Sequence, residues 1–130
     1  MAEHPNIPII RGAYQAFADG DMVALRDHWT ENVTWYVRGV GKLTGDYRGP
    51  GEVIDFLSQV AEETGGTYVS EVHAILADDE HGVVLANWHA ERNGRSRSGR
   101  VVHVMHLRDG KAEEFWAATP EPDEDLAFWQ

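Results

Sequence analysis

Residues 83–116, VVLANWHAERNGRSRSGRVVHVMHLRDGKAEEFW, constrain the fold more than any other stretch. They read as three antiparallel strands joined by two short turns. Asn93-Gly94 and Asp109-Gly110 supply the residues that type I′ hairpin turns require, because both central positions of such a turn need positive φ. A two-residue turn at Asn93-Gly94 pairs Arg92 with Arg95. Counting back, Trp88 faces Gly99, Ala86 faces Val101 and Val84 faces His103. Cross-strand partners share a sheet face, so Val84, Ala86, Trp88, Val101, His103 and Met105 lie together. Val83, Leu85, Val102 and Val104 lie on the opposite face. Both faces are apolar, which predicts burial of both. The first, with a histidine and a tryptophan among small residues, predicts a pocket wall. The second, plainly aliphatic, predicts packing against another layer or a second subunit.

The flanking chain supplies the rest of the architecture. Ile7, Ile10, Tyr14 and Phe17 recur at helical spacing and predict a helix over 6–19, with Pro8 in its first turn. Gly20 can stop that helix, and Asp21 can cap a second one over 22–30 that presents Met22, Leu25 and Trp29. A short strand over 33–37 points Trp35 and Val37 one way and Tyr36 the other. The glycine-rich segment 38–51 lacks the Gly-Lys-Ser/Thr pattern of a phosphate loop and predicts a mobile loop over a pocket mouth. Pro50 begins a third helix, with Val53, Phe56, Leu57 and Val60 on its apolar face, ended by Gly65-Gly66. Residues 67–77 predict a strand leading into the turn ADDEHG. An even turn places His73 on the pocket face beside Ala86; an odd one places it outside. PEPDEDLAFWQ predicts a turn and a short helix that docks Leu126, Phe128 and Trp129. Helices segregated from strands define an α+β class. A curved antiparallel sheet wrapped around the first helix would leave a cavity between them.

A chain of 130 residues predicts one domain over 1–130, large enough to bury roughly two-thirds of its unfolded surface. The formal charge of −11 argues against nucleic acid and anionic membranes as partners, because both require a basic footprint. The start, MAEHPNIPII, has no basic region ahead of its apolar run, and no apolar run has the length of a membrane span. The expectation is a soluble, cytoplasmic protein. Cysteine is absent, which rules out disulfides and thiolate metal ligands. Seven histidines raise the question of a metal, but His103 and His106 point to opposite faces of one strand and His89 falls outside. No histidine pair has ligand spacing on a helix or strand, so no metal is expected. No glycine-rich fingerprint follows a strand, so neither a nicotinamide nor a flavin is expected. Ser70, Ser96 and Ser98 sit in no nucleophile elbow.

The residues YQAFADGDMVALRDHWTENVTWYVRG, then LTGDYRGPGEVIDFL, then GKAEEFW after a histidine-bearing strand resemble the SnoaL-like polyketide cyclases. These belong to the ketosteroid-isomerase and nuclear-transport-factor-2-like superfamily. The resemblance covers nearly the whole chain and implies a cone-shaped sheet with its pocket against helix 1. That fold hosts isomerases, cyclases, dehydratases, epoxide hydrolases and binding proteins, so function must be argued from the site. In the resemblance, the isomerase's general-base aspartate falls on Val37, its phenol donor on Ala13 beside Tyr14, and its oxyanion aspartic acid on His103. Classical steroid isomerase activity is therefore not expected.

His103 is the leading candidate for acid–base work. Its ordinary pKa, about 6.5, lies near working pH, and it sits mid-strand on the predicted pocket face. His73 and Tyr14 are the other catalytic candidates, and Glu113 or Glu114 could orient His103. Phe17, Trp35, Val37, Phe56, Trp88, Met105 and Phe115 are the candidates to hold a substrate. A three-residue loop at Asp109-Gly110 pairs His103 with Phe115 and a two-residue loop pairs it with Trp116; the family register favours Phe115. Two functions follow: a cofactor-free enzyme moving a proton on an apolar, cyclic or aromatic molecule, or a pocket that only binds one. The aliphatic outer face predicts a homodimer, since a patch of that kind is unusual on a monomer.

Overall fold

The computed structural model describes residues 3–130. Four helices are present: α1 (Asn6–Ala18), α2 (Met22–Arg26), α3 (Gly49–Glu63) and α4 (Pro122–Trp129). Six strands are β1 (Trp29–Val37), β2 (Gly45–Arg48), β3 (Val69–Ala77), β4 (His81–Arg92), β5 (Arg95–Arg108) and β6 (Lys111–Ala118). They form one sheet in the order β2-β1-β6-β5-β4-β3. Every neighbouring pair is antiparallel except β1 and β6, which run parallel. The curved sheet wraps the N-terminal helices in an α+β arrangement of the nuclear-transport-factor-2-like kind.

The central hairpin has the register that its turn chemistry predicts. Asn93 and Gly94 have φ of 52° and 76°, and Arg92 pairs with Arg95, Trp88 with Gly99, Ala86 with Val101 and Val84 with His103. Gly99 is required where it stands, because a Cβ there would lie 2.5 Å from Trp88 Nε1. Asp109 and Gly110 also have positive φ, so this turn too has two residues, with Arg108 opposite Lys111.

Local end signals behave as expected. The Asp21 carboxylate accepts from the Ala24 amide at 3.0 Å and caps α2. Gly20, Gly65 and Gly66 adopt positive φ just beyond α1 and α3.

Three elements differ from the sequence-based expectation. α2 closes at Arg26, and Trp29, expected on that helix, begins β1, where it is buried. Leu25 and Trp29 fit one face of a helix equally well, and the longer strand wins by adding ladder bonds. The glycine-rich segment is not a free loop. It holds a turn of 3₁₀ helix at Gly41–Leu43 and the edge strand β2, whose Tyr47 pairs with Trp35. Leu43 is the anchor that periodicity could not reveal, buried against Phe56, Phe128 and Trp129. In α4, Phe128 and Trp129 dock as expected, but Leu126 faces solvent.

The core fills the space between helices and concave face. One cluster joins Ile10, Leu25, Trp29, Val33, Val53, Val84 and Met105. A second, under α4, joins Leu43, Phe56, Val60, Trp88, Phe128 and Trp129. Among the described residues no helix is long and apolar enough to cross a membrane.

Candidate active site

Between α1 and the sheet lies a cavity of about 260 Å³. Its wall takes Tyr14 and Phe17 from α1, Trp35 and Val37 from β1, and Phe56 from α3. The central strands add Trp88, His103, Met105 and Phe115. The aromatic rings form two groups. Trp35 stacks on Phe115 with centroids 4.1 Å apart, and Phe115 lies 4.9 Å from the His103 ring. At the other end Tyr68 stacks on Trp88 at 5.8 Å, with Phe17 edge-on to Tyr68. α4 closes this end by packing Trp129 on Trp88.

His103 and Tyr14 meet in this cavity. The Tyr14 hydroxyl lies 2.5 Å from His103 Nδ1, and the two rings are nearly parallel. Tyr14 reaches the histidine from α1 because the α1 face Ile10–Tyr14–Phe17 turns toward the concave sheet. Burial lowers the His103 pKa to about 4, since the apolar wall disfavours imidazolium. Burial also pushes the Tyr14 phenol well above its ordinary range, with Tyr68 adding to the shift. Tyr68 is raised to about 12, chiefly by burial and then by the nearby Asp125 carboxylate. His103, Tyr14 and Tyr68 are therefore uncharged near neutral pH, and the Asp125 side chain on the wall accepts from Arg97, with contacts of 2.8 and 2.7 Å.

Two of the candidate residues need correction. His73 is exposed and takes no part in the cavity wall. The β3–β4 turn is even, with Ala77 opposite Gly82, which alone would set His73 beside Ala86. A bulge between Val72 and Ala74 moves Val72 into that position and leaves His73 as the extra residue. A second bulge, at His106/Leu107, makes Glu113 the extra residue on β6. His103 consequently pairs with neither Phe115 nor Trp116 but with Ala117, while Met105 pairs with Phe115. The one-residue slip still turns Phe115 into the cavity and sends Trp116 outside, beside His106.

The glutamates do not orient His103. Glu113 accepts from Arg108 at 2.9 Å, and Glu114 binds His106 and Tyr36 on the outer face. Tyr14 holds Nδ1 instead. Sequence reasoning did not single out Tyr68, Ser70, Asp125 or Trp129 as site residues, although all line the cavity. Tyr68 and Ser70 alternate toward the face of Trp88, a pattern legible once the register is known. Nothing local marks Asp125 and Trp129, because α4 reaches the cavity only through tertiary docking. Three arginines hold it there: Arg92 and Arg95 donate to its last carbonyls, and Arg97 to Asp125. Two buried polar atoms on the wall, Trp35 Nε1 and Ser70 Oγ, have no hydrogen-bond partner among the described residues. Among the described residues no three His, Asp or Glu side chains are grouped so as to hold a metal ion.

A cone-shaped α+β fold enclosing an apolar cavity defines the class, a nuclear-transport-factor-2-like domain with a small-molecule pocket. Within that class the chain belongs to the SnoaL-like domain family, whose profile matches residues 10–115. An uncharacterised protein of Mycobacterium tuberculosis strain H37Rv is 28% identical over 134 residues, covering 99% of each chain. The structure of Bal32a, from a soil-derived mobile gene cassette, is 25% identical with a TM-score of 0.90 over 96% of each chain. An NTF2-like protein of unknown function from Burkholderia pseudomallei is also 25% identical, with a TM-score of 0.86 over 96% of this chain and 97% of its own.

Proposed function

We propose that this protein is a cofactor-free enzyme that acts by proton transfer on an uncharged, apolar, cyclic or aromatic molecule held in the cavity. His103 is the acid–base group at the reacting centre. The observation that carries this reading is the Tyr14–His103 pair. An imidazole is gripped at Nδ1 by a phenol in an apolar chamber, and its other nitrogen has no partner among the described residues. A structural histidine in a core generally has both nitrogens satisfied or one in solvent. Trp35, Phe115, Trp88 and Phe17 offer flat apolar surface on two sides of it. Val37 lines the cavity where the steroid isomerase's base would fall, so steroid isomerisation is not part of the proposal.

A pocket that only binds is the second reading. Among the described residues Asp125 is the one carboxylate in the cavity wall, and Arg97 occupies it, which leaves no described carboxylate there free to take a proton. The two readings separate experimentally. Mass spectrometry of the denatured protein identifies a copurifying ligand, and His103→Ala is then assayed for binding and for turnover. An enzyme keeps affinity and loses about a hundredfold or more in rate. Unchanged turnover of that ligand in the variant would remove His103 from the chemistry.

The functional unit in this reading is a homodimer through the outer sheet face. Leu76, Val83, Val104 and Trp116 form one continuous row across four strands, with Leu85 and Val102 beside it. Leu76 is 56% exposed in the single chain. Light scattering should give about twice the 14.6 kDa chain mass; a monomer mass at micromolar concentration would refute the pairing.

A further inference from the structure

We infer that Tyr14 donates its hydroxyl hydrogen to His103 Nδ1, fixes the imidazole as the Nε2–H tautomer, and so makes His103 a hydrogen-bond donor toward an oxygen atom of the bound molecule. This rests on the reading of the cavity as the functional site, and it assigns a direction to that site's chemistry.

A neutral imidazole carries one N–H and one bare nitrogen, and a phenol carries one donor hydrogen and can also accept. Tyr14 has one hydrogen bond among the described residues, to His103 Nδ1, and His103 has no other. If Tyr14 donates, its hydroxyl hydrogen and Nδ1 are both satisfied, and only Nε2–H is left for a ligand. If Tyr14 accepts from Nδ1–H, its own hydrogen has no acceptor and the Nε2 lone pair has no donor. That arrangement strands two polar groups in an apolar chamber instead of one. A polar group left without a partner in an apolar chamber keeps its desolvation penalty, so the donating arrangement, which leaves one fewer, is favoured.

Trp35 supports the same direction independently. Its indole nitrogen is buried, has no partner, and can only donate. Trp35 stacks on Phe115, which in turn touches the His103 ring, so both unpaired N–H groups belong to one aromatic cluster of the wall. A wall whose unpaired nitrogens are donors accepts a molecule that brings acceptors: a carbonyl or ether oxygen on an otherwise uncharged skeleton. As negative charge grows on that oxygen, Nε2–H shares its hydrogen with it, and Nδ1 stays in the grip of Tyr14. No covalent bond between the protein and the bound molecule forms. Tyr14 is thus a positioning residue, acting on the bound molecule through His103.

The test needs no substrate. Long-range proton–nitrogen correlation spectra of ¹⁵N-histidine-labelled protein at pH 7 distinguish a protonated ring nitrogen from a bare one. His103→Gln identifies the signals to assign. The expected result is a protonated Nε2 and a bare Nδ1 at His103, with that preference lost in Tyr14→Phe. A protonated Nδ1 in the wild type overturns the inference, and the wild-type spectrum decides this even if Tyr14→Phe does not fold. An unchanged tautomer in a folded Tyr14→Phe overturns the role of Tyr14. Failure of the functional proposal would appear separately, as absence of turnover with the tautomer as stated.

Discussion

Acidification should destabilise the wild-type protein more than a variant without His103. Burial lowers the folded-state pKa of His103 from 6.5 to about 4. In the unfolded chain the imidazole returns to about 6.5. Between those two values the unfolded state binds the proton and the folded state does not, so folding stability rises with pH across this window and falls as pH drops through it. A gap of 2.5 pKa units is worth about 3 kcal/mol at 1.36 kcal/mol per unit, and nearly all of it is lost between pH 7 and pH 4. The measurement is urea denaturation of wild type and His103→Gln at several pH values over that range. Every other titrating group is common to the two proteins and cancels in the difference. The stability of the variant relative to wild type should increase by about 3 kcal/mol on going from pH 7 to pH 4, most steeply near the midpoint of the window. A difference that stays flat within about 0.5 kcal/mol would refute the claim that the folded cavity excludes imidazolium.

Three further outcomes are expected. Once a substrate is known, kcat/KM should hold level from neutral pH down to about 5 and fall only as His103 protonates near its folded pKa of about 4; an inflection near 6.5 would contradict a buried, neutral His103. Gly99→Ala places a Cβ 2.5 Å from Trp88 Nε1 and must displace a ring packed between Tyr68 and Trp129. It should cost about 1–3 kcal/mol in urea denaturation and shift tryptophan emission, and an unperturbed variant would refute the packing described. Arg97→Ala leaves the buried Asp125 carboxylate without its guanidinium and should cost about 3–5 kcal/mol, whereas Arg97→Ala combined with Asp125→Leu should recover much of the loss; additive damage in the double variant would contradict this.

The turn dipeptides determined the centre of this protein unaided. Asn93-Gly94 can adopt a type I′ turn by local backbone preference, and a two-residue turn leaves one possible register for β4 and β5. From that register alone, Trp88, Ala86, Val84 and His103 share a face, because side chains alternate along a strand. The helix faces that carry Tyr14 and Phe17, and Phe56 with Val60, were legible for the same reason: a fixed period. Tertiary structure decided whatever a period cannot encode. Two bulges, at Val72/Ala74 and His106/Leu107, each add one residue to a strand, and one residue exchanges its faces. They expel His73 from the cavity and turn Phe115 into it. Trp29 fits a helix or a strand equally by pattern, and β2 is too short and glycine-rich to announce itself before β1 offers it a partner. The Tyr14–His103 bond joins residues 89 positions apart. Its two ends were readable from the sequence. That they meet depends on the curvature that brings α1 across the concave sheet, which belongs to the assembled layers and to no single segment of the chain.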